Sequence, residues 1–136
     1  MARLPFPDPV HKLLAAPNPA VITTLRSDGQ PVSVATWYLM AGDDRVLVNM
    51  DEGRRRLAHL RRDPRVSITV LQDGDWYTHV SLVGRVIEMY DDVGLADIDR
   101  LSRHYRGRDY AVRDRGRVSA LVAVDRWHGW GAAREH

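Results

Sequence analysis

Apolar and polar positions change their spacing several times along the chain, and each change marks an element. Between Pro9 and Pro17, Val10, Leu13 and Leu14 recur at helical spacing, which predicts a short first helix stopped before Pro17. Residues 20–25 are rich in β-branched side chains and run into Ser27-Asp28-Gly29-Gln30-Pro31, a hairpin turn in which Asp-Gly supplies the positive φ. Residues 31–40 alternate Val32, Val34, Thr36 and Tyr38 with Ser33, Ala35, Trp37 and Leu39. Both sets are partly apolar, which predicts a strand covered on both sides. Ala41-Gly42-Asp43-Asp44 turns the chain into a strand at 45–50. A helix is predicted over 53–62, capped by Asp51, stopped by Asp63-Pro64 and turning Leu57 and Leu60 inward. Strands follow at 65–71 and 76–90, the second bent near Gly84. Residues 91–105 read as a helix with acids first and Arg last, which suits the helix dipole, and 117–124 as a final alternating strand.

Three short helices and six strands joined by turn-sized gaps predict a mainly β fold, a six-stranded antiparallel barrel. So narrow a barrel is filled by its own side chains, so a ligand would sit outside it, most economically in a groove between two copies. A length of 136 residues predicts a single domain over 1–136, with a short N-terminal helix and a C-terminal Trp127-His128-Gly129-Trp130 tail. No apolar run approaches the roughly 18 residues of a membrane span. Residues 1–9 carry no secretory signal pattern. Cysteine is absent, which removes disulfides, thiolate chemistry and sulfur-ligated zinc. The expectation is a cytoplasmic protein that does not bind a membrane.

Charge changes this picture by its placement. The formal net charge is only +2, yet Lys12 is the one Lys among 20 basic residues. Residues 51–65 hold six Arg against Asp51, Glu52 and Asp63, and residues 100–117 hold seven against Asp109 and Asp114. Clustered Arg points to an anionic partner or to a solvated charged face. Arg54, Arg55 and Arg56 fall in the first turn of the second predicted helix, where the dipole already presents positive charge. Cations there are unfavourable unless an anion joins them, and free amides with Arg forks form a phosphate site. The competing reading pairs these Arg with Asp51, Glu52 or Asp63.

Trp37, Trp76 and Tyr77 lie in predicted strands and read either as core or as a planar wall for a ring-shaped cofactor. His59 and His79 read first as structural residues. No metal-binding His spacing occurs, and no phosphate loop, dinucleotide fingerprint or nucleophile elbow. No acid pair or nucleophile–base pair emerges, so no catalytic side chain is singled out, and enzymatic chemistry would belong to a cofactor.

Several of these pieces together resemble a known family. They are the Ser27-Asp28-Gly29-Gln30-Pro31-Val32 turn, Leu60-Arg61-Arg62-Asp63-Pro64-Arg65-Val66, Gly84-Arg85-Val86, Tyr105-Arg106-Gly107 and Trp127-His128-Gly129-Trp130. Over roughly residues 8–131 the chain resembles the pyridoxamine-phosphate-oxidase-like split-barrel proteins, and more narrowly the flavin/deazaflavin oxidoreductases that use coenzyme F420. The resemblance implies a six-stranded split β-barrel, a homodimer and a cofactor in the groove between subunits. It implies a phosphate held at the start of the Arg-rich helix. The family's basic residue, spacer and Lys fall on Arg54, Arg55 and Arg56, with Arg in place of Lys. It places the ring along Val32, Ser33, Val34, Ala35 and Trp37 and beside Asn49 and Met50, with Trp76, Tyr77 or His79 brought by the partner. It implies hydride transfer from reduced F420 to an electron-poor, conjugated small-molecule substrate. The alternatives are an FMN-binding oxidase, reductase or flavin-binding protein of the same superfamily, a tetrapyrrole-binding member, and a non-enzymatic anion- or nucleic-acid-binding module. The last is disfavoured by Asp91, Asp92, Asp97 and Asp99, which would repel a phosphate backbone.

Overall fold

The computed structural model describes residues 1–134. Helix α1 (Asp8–Ala15) precedes β1 (Ala20–Leu25), β2 (Pro31–Thr36), β3 (Leu39–Met40) and β4 (Arg45–Asp51). Helix α2 (Arg55–Arg62), β5 (Arg65–Gln72), β6 (Asp75–Asp91), α3 (Ala96–Arg106) and β7 (Arg117–Trp130) follow. All pairings given for the strands are antiparallel, in one sheet of order β2-β1-β5-β6-β7-β4-β3.

The mainly β, antiparallel architecture agrees with the sequence pattern, but the sheet has seven strands and hydrogen bonds do not close it. The additional strand arises because residues 31–40 break in two. Tyr38 turns into the interior, fully buried, and its hydroxyl donates to the carbonyls of Leu14 (2.8 Å) and Ala16 (3.3 Å). The two edge strands, β2 and β3, are therefore successive pieces of one segment, and the sheet curls until only Trp37 and Tyr38 separate its edges. The break also leaves β2 as a true edge, with none of its residues buried, contrary to a strand covered on both sides.

The interior is filled as a narrow barrel requires. Ile22, Tyr38, Val46, Val48, Ile68, Val80 and Ala120 are among the buried residues of one apolar cluster, and α1 adds Val10, Leu13 and Leu14. Strand β4 is buried on both faces because α3 covers the face away from this cluster. The cover is tied down by polar contacts: Asn49 Nδ2 donates to Asp92 Oδ2, and Ser119 Oγ donates to Asp97 Oδ2.

Strand β6 is long enough to pair with β5 and β7 because it bends at Gly84, where its register against β7 shifts. The Trp127–Trp130 segment is not a tail. It continues β7 against β6, with Leu82 opposite Trp127 and His79 opposite Trp130, because β6 offers unpaired backbone along that whole length. Helix α3 starts at Ala96 rather than near residue 91, since Asp91 still belongs to β6 and a 3-10 turn (Val93–Leu95) intervenes.

Candidate functional site

Helix α2 begins at Arg55 with Arg54 as its N-cap, and no side chain caps it. Asp51 does not cap this helix: its Oδ1 accepts from the Gly53 amide at 3.0 Å, and its carboxylate takes Arg115 at 2.7 Å. The first amides of α2 therefore lack a side-chain acceptor at the positive end of the dipole. Arg54 and Arg55 are exposed, and Arg56 is half-buried.

Of the three carboxylates that could neutralise these residues, Asp51 and Asp63 are committed elsewhere, and Glu52 pairs with none of the three Arg among the described residues. Asp51 is held below the usual carboxylate range by the Gly53 amide and then by Arg115. Asp63 is held down to about 2, chiefly by the hydrogen bond from the Arg65 guanidinium. Among the described residues, none of Arg54, Arg55 and Arg56 has a carboxylate within 4.0 Å. Burial, followed by the charges of Arg54 and Arg117, lowers the pKa of Arg56 from its ordinary value. Three cations crowd the end of a helix with no ion-paired carboxylate among the described residues.

Beside them lies a cavity of about 720 Å³, outside the filled barrel interior, between the ends of β2 and β4 and the covering segment of α3 with the loop after it. Arg56, Asn49, Ala35 and Trp37 line it, so four of the residues singled out in the sequence converge there. The others stand apart. Val32, Ser33 and Val34 lie along the β2 edge, and Met50 is buried in the core, away from the cavity. Trp76 and Tyr77 are 71% and 55% exposed at the start of β6, so they are not core residues. His79 donates from Nδ1 to the Tyr77 carbonyl at 3.0 Å.

The covering side was not singled out as a site. Ile98, Leu101 and Tyr105 of α3 and Tyr110 of the following loop complete the wall, and Arg106, Arg108 and Arg117 add charge. Tyr105 stacks on Trp37 (centroids 5.4 Å apart, planes at 11°), Tyr110 meets Trp37 edge-on and the Arg106 guanidinium lies 5.6 Å from the Trp37 ring centre. The loop is held down by Asp99, which accepts from the Tyr110 amide at 3.0 Å and from Arg113 at 2.6 Å. The excess of Arg over residues 100–117 and the Tyr105-Arg106-Gly107 piece are the signals of this wall in the sequence.

The Tyr105 phenol is not poised as an acid near neutrality. It donates to the Asn18 carbonyl at 2.7 Å, and burial pushes it up to about 12. Because the folded value lies above the ordinary 10.0, the stability gained by keeping it neutral is complete below pH 10 and is lost as pH rises from 10 through about 12. Melting temperatures followed between about pH 9 and 11 are expected to fall more steeply for the wild type than for Tyr105→Phe. Parallel slopes would show that this phenol ionises equally well folded and unfolded.

The sequence profile of the family described as pyridoxamine 5'-phosphate oxidase matches residues 6–131. The chain belongs to that family. Membership makes it a flavin-related, oxidoreductase-type protein and accounts for the split barrel. Among solved structures, it is similar to an F420 reductase at 22% identity, covering 86% of this chain and 94% of that one, with a TM-score of 0.79. It is also similar to a conserved hypothetical protein from Mycobacterium tuberculosis (19% identity, 97% and 90% covered, TM-score 0.73). A third likeness is to General Stress Protein 26 from Bacillus anthracis (14%, 90% and 92%, 0.64). At these identities the likeness carries the fold. No helix of this family member is long and apolar enough to cross a membrane, among the described residues.

Proposed function

We propose that this chain is a cytoplasmic, F420-dependent oxidoreductase acting on an electron-poor, conjugated small molecule. The observation that carries the reading is the set of three guanidiniums at the start of α2, without a carboxylate partner among the described residues while Asp51 and Asp63 serve Arg115 and Arg65. The donor set fits a phosphate: planar forks on Arg54 and Arg56, plus uncapped amides of the first helical turn. The adjoining cavity, with its apolar and aromatic wall, is of a size that takes a cofactor ring system. The cysteine-free composition fits a reducing compartment.

A reduced deazaflavin, when bound, supplies the hydride. The chain's own residues bind and orient it. Arg54 and Arg56 hold the phosphate, Arg55 faces outward where an acidic tail would run, and Trp37, Tyr105 and Ile98 exclude water from the ring. With the Tyr105 phenol committed to Asn18, the proton that completes a reduction is drawn from solvent.

The active form is proposed to be a homodimer. Ser33 and Ala35 are exposed on a β2 edge whose two faces are both partly apolar, and Trp76, Tyr77 and Trp130 are exposed aromatics on neighbouring strand ends. A second copy covering both would close the cavity's open side and bring Trp76, Tyr77 or His79 to the ring.

FMN is the second reading, since it presents the same phosphate to the same forks. Fluorescence titration of the purified chain with each cofactor, run beside light scattering, separates them. Saturable F420 binding by a species of twice the 15.5 kDa chain mass is expected. Tight FMN binding with no F420 binding would replace the first reading by the second, and a monomer would remove the proposed groove.

A further inference from the structure

We propose that Arg117 is the second arm of the anion site, clamping the cofactor's phosphate together with Arg56, and that Asn49 is the positioning residue that presents it. The inference rests on the cofactor reading above and deepens it.

Arg117 is the first residue of β7 and pairs in register with Asp51, so the sheet brings it beside the segment that enters α2. It lines the same cavity as Arg56 and is half-buried. Yet it has no carboxylate partner among the described residues, since Asp51, its neighbour across the ladder, is tied to Arg115. Its contacts with the chain orient it without cancelling its charge. Nε donates to Asn49 Oδ1 at 2.6 Å, and the guanidinium lies 4.9 Å from the centre of the Tyr110 ring. Only one of an Arg side chain's five N–H donors is spent this way.

Asn49 is itself held. Its Nδ2 donates to Asp92 Oδ2 and to Ser119 Oγ, both at 3.0 Å. A carboxylate can only accept, so the amide nitrogen belongs on the Asp92 side and Oδ1 must face Arg117. Asp92 in turn accepts from the amides of Asp97 (2.8 Å) and Ile98 (2.9 Å) at the start of α3. A buried chain of hydrogen bonds thus runs from α3 to one guanidinium. Arg56 lines the same cavity, and the Arg117 charge is among the causes that lower its pKa, so the two charges oppose each other. Two cations lining one half-buried cavity, with only neutral groups holding Arg117, are stable together when an anion lies between them.

The test compares three ligands by deazaflavin fluorescence: full-length F420, its tail-less phosphate form and the phosphate-free deazaflavin riboside. Arg117→Ala is expected to weaken both phosphate-bearing forms by about 10- to 100-fold and to leave the riboside unchanged. Arg117→Lys should recover part of the loss. Asn49→Ala should weaken the same two forms by roughly 5- to 10-fold. Equal losses for all three ligands would reduce Arg117 to a packing residue. A loss confined to full-length F420 would assign it to the acidic tail, and no loss would remove it from the site; each of these overturns the clamp while leaving the cofactor reading intact. A wild-type chain that binds none of the three overturns both. If Arg117→Ala fails to fold, Arg117→Gln carries the same comparison, and FMN against riboflavin repeats it for a flavin.

Discussion

Replacing Arg54 and Arg56 together with Ala is expected to weaken deazaflavin binding by about 3–5 kcal/mol, roughly two to three and a half powers of ten in affinity. The size follows from removing two charge-assisted donors to one phosphate. What makes the prediction sharp is that the loss should not extend to folding. Neither side chain pairs with a carboxylate among the described residues, and both sit at the end of α2 where positive charge opposes the dipole. Without ligand, the double variant is expected to melt within a degree or two of the wild type or slightly above it. Arg55→Ala, at the spacer position, should lose much less affinity. Fluorescence titration beside thermal melts reads both quantities. Unchanged affinity, or a lowered melting temperature with affinity lost only in proportion, would return these residues to structural work.

Gly84→Ala is expected to destabilise the chain by about 3 kcal/mol or more, a drop of roughly 10 °C in melting temperature. A Cβ at this position would stand 2.0 Å from the Ala123 carbonyl oxygen and 3.1 Å from the Val124 Cα. Both are backbone atoms of β7, so no side chain can swing aside. The register of β6 against β7 shifts at this residue, and relieving the clash means separating the two strands with the longest pairing in the sheet. That pairing also anchors β7, whose first residue is Arg117. Circular-dichroism melts measure the effect, and an unaltered transition would show that the bend tolerates a side chain.

Local pattern was legible where a single element decides it. The apolar triplet Val10, Leu13 and Leu14 is the buried face of α1, and Leu57 and Leu60 are that of α2. The Asp-Gly hairpin forms as its chemistry requires, with Gly29 at φ 84° and Asp28 Oδ1 accepting from the Gln30 amide. What was not legible depended on a distant partner. The break at Trp37–Tyr38 exists because the carbonyls of Leu14 and Ala16 accept the Tyr38 hydroxyl from more than twenty residues away. The Trp127–Trp130 segment reads as aromatic and glycine-rich, and becomes strand because β6 is long enough to pair with it.

The candidate site divides in the same way. Arg54, Arg55 and Arg56 draw attention by spacing alone, because a helix dipole makes their position anomalous. That Asp51 and Asp63 leave them unpaired is decided by Arg115 and Arg65, and Arg115 arrives only when β7 lies beside β4. Tyr105, Tyr110 and Arg117 reach the cavity through the covering of β4 by α3 and its loop, a packing that no local period encodes.

The order of turns, the antiparallel strands and the excess of positive charge at the start of α2 were therefore determined by the chain's own pattern, since each follows from interactions a few residues apart. Which charges remain unneutralised, which aromatics face one another and where a cavity opens were decided only by the curled sheet and the helix laid across it. Those outcomes turn on contacts between residues tens of positions apart, whose pairing is set by the fold as a whole.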